Sequence, residues 1–278
     1  MHRTKLLSLY GLKWNPFTPE VPDDGLFTTP RIESFTVRIE TMVHEGGFAL
    51  ITGEPGYGKS ITLRILEERL SELPEVSVGV LARPQSGVVD FYRELGDLFA
   101  VELRPHNRWA GFKTLRERWR AHAQASLLKP VLLVDEAQDM PTAVLSELRI
   151  LSSGKFDRET YLTVVLAGDT RLADRFRQPE LLPLGSRIRT RLALDYAIHD
   201  ELRDFLRHAL KKAGAPKLLT ENLQDALVEH AAGNFRVLMT MAGELLMAAC
   251  EQELAVIDEK LFQERSSSRR SKTRRANS

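Results

Sequence analysis

The sequence predicts an α/β fold followed by a smaller all-helical domain, and three observations predict it. Apolar runs of four to seven residues recur, each followed by a helical pattern. The first run leads into a glycine-rich loop that opens a helix. Residues 200–262 show helical spacing throughout, with no strand pattern between. At 278 residues the chain is long enough for one large domain or two modest ones, and 43% apolar content is ample for a core. The single cysteine, Cys250, excludes an internal disulfide framework and fits a reducing, cytoplasmic setting. It sits in an apolar helical stretch, as a small core filler. No apolar run is long enough to span a bilayer, and the segment after Met1 is too short for a secretion signal, so no membrane partner is expected.

Residues 1–30 carry Pro16, Pro19, Pro22 and Pro30, and read as an extended segment that packs Tyr10, Trp14 and Phe17 on the main body. A core domain is expected over 31–198. Ile32, Phe35, Ile39 and Met42-Val43 give its first helix, and Phe48-Ala49-Leu50-Ile51 its first buried strand. Strands at Val76–Leu81, Val131–Val134 and Tyr161–Ala167 follow, with helices over 88–101 and after Pro141 between them. A helical lid is expected over 199–263 and a disordered basic tail over 264–278.

After the first strand the residues Gly53-Glu54-Pro55-Gly56-Tyr57-Gly58-Lys59-Ser60 spell G-x-x-x-x-G-K-S, with Ile61 behind them. This is the phosphate-binding P-loop, in its strand–loop–helix context. The glycines turn the backbone so that its N–H groups point at phosphate oxygens, and the helix adds its positive end. Lys59 reaches the β- and γ-phosphates, and the Ser60 hydroxyl ligates Mg²⁺. About 75 residues later, Asp135 and Glu136 end an apolar strand. Asp135 belongs to the Mg²⁺ shell and Glu136 polarises the attacking water. Asp169, at the end of the next strand, has the position to orient that water or sense the γ-phosphate. Among Arg187, Arg189 and Arg191, Arg187 is the first choice for an arginine finger acting on a neighbouring subunit. Arg236 falls in the first turn of a helix capped by Asn234, an unfavourable place for a cation unless an anion such as a phosphate is near.

Charge is unevenly spread. The net charge is +1, but the chain after Glu264 holds six basic residues and no acid, leaving the rest at about −5. Arg104, Arg108, Lys113 and Arg116 interleave with Trp109, Phe112 and Trp119. That stretch reads either as a nucleic-acid surface, together with Arg269 and Arg270 of the tail, or as an ordinary amphipathic helix.

The order of P-loop, Asp135-Glu136, Asp169, arginine cluster and Gly233-Asn234-Phe235-Arg236 resembles the AAA+ ATPases. Tyr10-Gly11-Leu12-Lys13-Trp14-Asn15-Pro16-Phe17, Gly46–Gly53 and Leu133-Val134-Asp135-Glu136-Ala137-Gln138 resemble the ExeA (GspA)-like secretion group, over roughly residues 9–262. The resemblance implies a P-loop AAA+ core with a parallel five-stranded sheet ordered 5-1-4-3-2, a small helical lid, ATP and Mg²⁺, and a homo-oligomer, ring or filament. It makes Asp169 sensor 1 and Arg236 sensor 2. The short architecture is similar to the transposition ATPases of the TniB, TnsC, MuB and IstB type. That implies ATP-dependent binding of duplex DNA, target selection and recruitment of a transposase. The alternative is a cytoplasmic secretion or envelope-assembly ATPase acting on protein partners. A metabolic kinase is a distant third, because the helical lid shows no pattern of substrate-binding polar groups.

Overall fold

A computed structural model describes residues 2–103, 111–155 and 158–265. The chain forms two compact units. Among the described residues, those up to Phe27 join those from Tyr196 onward, and those of Thr28–Asp195 form the other.

The first element, α1 (His2–Tyr10), belongs to the former unit. The expectation of an extended segment is corrected over His2–Tyr10. Every proline of the segment lies after residue 15, so nothing bars a helix before it. Leu6, Leu12 and Phe17 are buried in the same core as the later helices, with Tyr10 and Trp14 against them. These aromatics therefore pack within the helical unit.

The α/β unit begins at α2 (Pro30–Glu45). Thr29 caps it, accepting from the Ile32 N–H at 3.3 Å, and Pro30 occupies its first turn. Its buried face is Ile32, Phe35, Ile39, Met42 and Val43. Then come β1 (Gly47–Gly53), α3 (Lys59–Ser71), β2 (Val76–Leu81), α4 (Val88–Leu98), α5 (Gly111–Ala125), β3 (Lys129–Val134) and α6 (Thr142–Ser152). A two-stranded hairpin of β4 (Ser153–Gly154) and β5 (Glu159–Thr160) follows, then β6 (Thr163–Gly168), α7 (Thr170–Arg175), α8 (Leu182–Gly185) and β7 (Ile188–Leu194).

Among the described residues the main sheet has five strands, all parallel, in the order β2-β3-β6-β1-β7. Numbered by sheet strand this is 5-1-4-3-2 read from the other edge, as expected. The arginine-rich stretch after residue 187 is thus the fifth strand, at an edge, with Leu192 and Leu194 facing inward. The core combines Phe48, Leu50, Leu132, Val134, Val164 and Leu166 of the strands with Phe91, Tyr92, Leu95 and Trp119 of the helices.

The helical unit adds α9 (His199–Ala213), α10 (Glu221–Ala231) and α11 (Phe235–Glu251). Their buried leucines at 206, 210, 227, 238 and 245 make one core, and Cys250 fills part of it. Among the described residues no helix is long and apolar enough to cross a membrane.

Candidate nucleotide-binding site

The parallel sheet sets the place of the site. β1, β3 and β6 all end on the same edge, and each delivers its next residues there. At the end of β1 the chain cannot carry a side chain. A Cβ on Gly53 would lie 2.6 Å from the Leu194 carbonyl oxygen of β7. Gly56 and Gly58 have φ of 93° and 100°, which lets the loop curl before α3 starts at Lys59. Thr62 locks the first turn by donating from Oγ1 to the Gly58 carbonyl at 2.9 Å.

Lys59 is 6% exposed, and its ammonium donates to the Gly53 carbonyl at 2.8 Å and the Glu54 carbonyl at 3.3 Å. The cation is folded over the loop by the loop's own carbonyls. Ser60 Oγ donates to Asp135 Oδ2 at 2.7 Å, which joins the start of α3 to the end of β3. The other oxygen, Asp135 Oδ1, accepts the Glu136 N–H at 2.9 Å. Glu136 stands at φ 49°, the left-handed region that a non-glycine residue adopts at a cost.

Further contacts beyond these motifs complete the edge. Gln138 Nε2 donates to Glu136 Oε2 at 2.6 Å, and Gln138 Oε1 accepts the Asp169 N–H at 3.2 Å. Thr170 Oγ1 donates to Glu54 Oε1 at 3.1 Å, tying α7 to the phosphate loop. Asp169 caps α7 through Oδ1, accepting the Arg171 N–H at 3.0 Å, and pairs with the Arg171 guanidinium at 2.6 Å. Arg171 holds the Asp169 carboxyl below the usual carboxylate range. Gln138 thus reaches Glu136 with its side chain, and Asp169 meets Gln138 through its backbone N–H.

The expected residues of the loop, Ser60, Asp135, Glu136 and Asp169 are thus brought together on one sheet edge. Gln138, Thr170 and Arg171 went unassigned in the sequence. A glutamine two residues after an Asp-Glu pair was the available signal. Of the three arginines, Arg189 is paired with Glu45 at 2.9 Å. Arg191 donates to the Gly185 carbonyl at 3.3 Å, and Arg187 to the Pro183 carbonyl at 3.1 Å. Arg236 belongs to the helical unit, in the first turn of α11. Asn234 caps that turn as expected, accepting from the Arg236 and Val237 N–H groups at 2.9 and 3.1 Å.

The candidate nucleic-acid residues fare differently. Arg104, Arg108, Arg269 and Arg270 lie outside the described residues. Lys113 is exposed. Arg116 is held by Glu147: its Nε donates to Oε2 at 2.9 Å, and Nη2 pairs with Oε1. Trp119 is fully buried and donates from Nε1 to the Leu151 carbonyl at 3.1 Å. Over α5 the amphipathic-helix reading holds, and Arg116 with Trp119 is corrected to a structural role. An acid one helix away, Glu147, turns what looked like an outward cation inward.

The donor set fits a magnesium nucleotide. Mg²⁺ takes few protein ligands and completes its shell with water and substrate phosphates, and a serine hydroxyl facing one aspartate is such a set. The glycine loop before α3 and the buried Lys59 suit the phosphates.

Residues 42–176 match the family model described as AAA domain. General secretion pathway protein A of Aeromonas hydrophila is 30% identical over 246 residues, covering 86% of this chain and 44% of that protein. The chain therefore spans less than half the length of this relative. Among solved structures, Cdc6p from Pyrobaculum aerophilum aligns with a TM-score of 0.69 at 16% identity, covering 87% of this chain and 67% of the other. The Aeropyrum pernix ORC1 protein, solved in complex with DNA, aligns with a TM-score of 0.64 at 19% identity, covering 91% and 68%. The Thermotoga maritima RuvB Holliday junction branch migration motor gives 0.60 at 16% identity, covering 90% and 72%. These structural likenesses concern the fold. With its phosphate loop, acidic strand end and 5-1-4-3-2 sheet, the α/β unit is similar over residues 42–176 to the AAA domain, whose use of ATP and Mg²⁺ the loop, Ser60 and Asp135 suit.

Proposed function

We propose that this chain is a Mg²⁺-dependent ATPase whose nucleotide state switches a homo-oligomer on and off duplex DNA. One observation supports hydrolysis above all: Ser60 and the Glu136 backbone converge on the two oxygens of Asp135, and Gln138 holds the Glu136 carboxylate. Bound Mg²⁺ would neutralise charge on the phosphates. Lys59 binds the β- and γ-phosphates, Ser60 and Asp135 hold the metal, and Glu136 orients and polarises the water. Asp169 shapes the turn beside it. Arg187 is the candidate finger for a neighbouring copy, and Arg236 the candidate phosphate sensor of the helical unit.

The test is Glu136→Gln beside Lys59→Ala. The first should bind a fluorescent ATP analogue normally and hydrolyse ATP about 10²–10⁴-fold more slowly. The second should lose binding. Turnover near wild type in Glu136→Gln refutes the assignment.

The DNA output is supported by the basic run at 265–275, the exposed Lys113 and a fold shared with a protein solved on DNA. Its finer form is target selection and transposase recruitment in DNA transposition, in the cytoplasm. Anisotropy on random duplex DNA across a salt series should show tight binding only with a non-hydrolysable ATP analogue, falling steeply with salt. The second reading, an ATPase working on protein partners in secretion or envelope assembly, is favoured by the 30% identical relative and by the structural role of Arg116. It predicts no DNA binding in any nucleotide state.

A further inference from the structure

We propose that Gln138 is a positioning residue for hydrolysis, holding the Glu136 carboxylate and tying it to the phosphate loop through the turn after β6. The proposal rests on the reading that Glu136 polarises the water.

The Gln138 amide bridges two unlike groups. Its NH₂ donates to the Glu136 carboxylate at 2.6 Å, and its carbonyl accepts the Asp169 N–H at 3.2 Å. Flipping the amide would set oxygen against carboxylate and N–H against NH₂, so both contacts fix one orientation. The residue is itself anchored. Arg175 donates from Nη1 to the Gln138 backbone carbonyl at 2.7 Å and from Nη2 to Thr142 Oγ1 at 3.3 Å. Space for the amide comes from Gly168, where a Cβ would stand 2.5 Å from Gln138 Oε1. The left-handed turn at Glu136 aims the carboxylate, and the charge-assisted bond from Gln138 fastens it.

The same amide has a second end. Asp169, whose N–H it accepts, is followed by Thr170, which donates to Glu54 in the phosphate loop. A shift of Glu54 when phosphates enter is passed through Thr170 and the Asp169 N–H to Gln138, and so to Glu136. Gln138 thereby makes the base responsive to the occupancy of the loop.

Gln138→Met keeps the length and removes both hydrogen bonds. In the full chain, kcat should fall by about 10–100-fold while KM for MgATP stays within about twofold. In single-turnover hydrolysis, Gln138→Met added to Glu136→Gln should cost nothing further, because it acts through the residue already replaced. Wild-type turnover in Gln138→Met alongside a slow Glu136→Gln overturns the proposal. So does an additive double variant, or a faster Gln138→Met. Normal turnover in Glu136→Gln removes the parent reading instead. If Gln138→Met loses its cooperative melt, Gln138→Glu is judged by the same criteria. It keeps the acceptor for the Asp169 N–H and sets a carboxylate against Glu136.

Discussion

Arg116→Ala separates a structural cation from a nucleic-acid contact. Glu147 is 8% exposed and carries three donors: Arg116 Nε at 2.9 Å, Arg116 Nη2, and the Tyr92 hydroxyl at 2.8 Å. The hydrogen bond that Arg116 donates to Glu147 raises the guanidinium above its usual value, and burial first, then the Glu147 charge, pushes the Tyr92 hydroxyl up. Removing one partner of a buried pair costs about 3–5 kcal/mol, because the other charge is stranded. The Arg116 side chain is 28% exposed, so water relieves part of this and about 2–3 kcal/mol remains. For an α/β unit of about 170 residues that is a fall in Tm of roughly 5–10 °C. Thermal unfolding by circular dichroism reads it. Arg116→Leu with Glu147→Leu should recover most of the loss, since no charge is then stranded. DNA affinity of the folded variant should stay at the wild-type value. An unchanged Tm together with a salt slope reduced by about one would refute the argument and return Arg116 to the DNA surface.

Gly53→Ala should lower the melting temperature and abolish binding of a fluorescent ATP analogue, because its Cβ meets the Leu194 carbonyl at 2.6 Å and neither backbone yields cheaply; a variant that binds normally contradicts this. Asn234→Ala should cost about 1 kcal/mol in urea unfolding through the lost cap of α11. Asp169 gives a pH signature. Its carboxyl is held low by Arg171, so the folded state binds fewer protons than the unfolded chain below the usual Asp range, and stability is lost as pH falls through that window. Arg171→Ala should therefore be less stable than wild type by a constant amount between about pH 5 and 8, with the gap closing below about pH 4. A gap that widens in acid would show the sign to be wrong.

What the sequence disclosed and what it hid divide by range. β1, β3 and β6 are apolar runs buried on both faces, and each reveals itself in its own residues. The phosphate loop is legible for the same reason, as its glycines and Lys59 act within eight residues. α1 was missed because helix formation there depends on Leu6 meeting the core of α9–α11, far along the chain. The direction of Arg116 depends on Glu147, 31 residues away, and that of Trp119 on a carbonyl 32 residues away. Gln138 was in view beside Glu136, but its second partner, Asp169, is 31 residues on. Periodicity shows which face of a helix is apolar, not which cation on the other face finds an acid.

The sheet order also sets a schedule for the growing polypeptide. β1 is complete at residue 53, yet its partners among the described residues are β6 and β7, the first of which begins at residue 163. On the ribosome, at about 5–20 residues per second, the strand waits on the order of 5–20 s for a neighbour. Throughout that interval Phe48-Ala49-Leu50-Ile51 is an unpaired apolar segment, of the kind that nascent-chain chaperones shield. The phosphate loop is thus among the first motifs translated and among the last to be seated. A transcript cut anywhere before β6 would yield a sticky product without a nucleotide site.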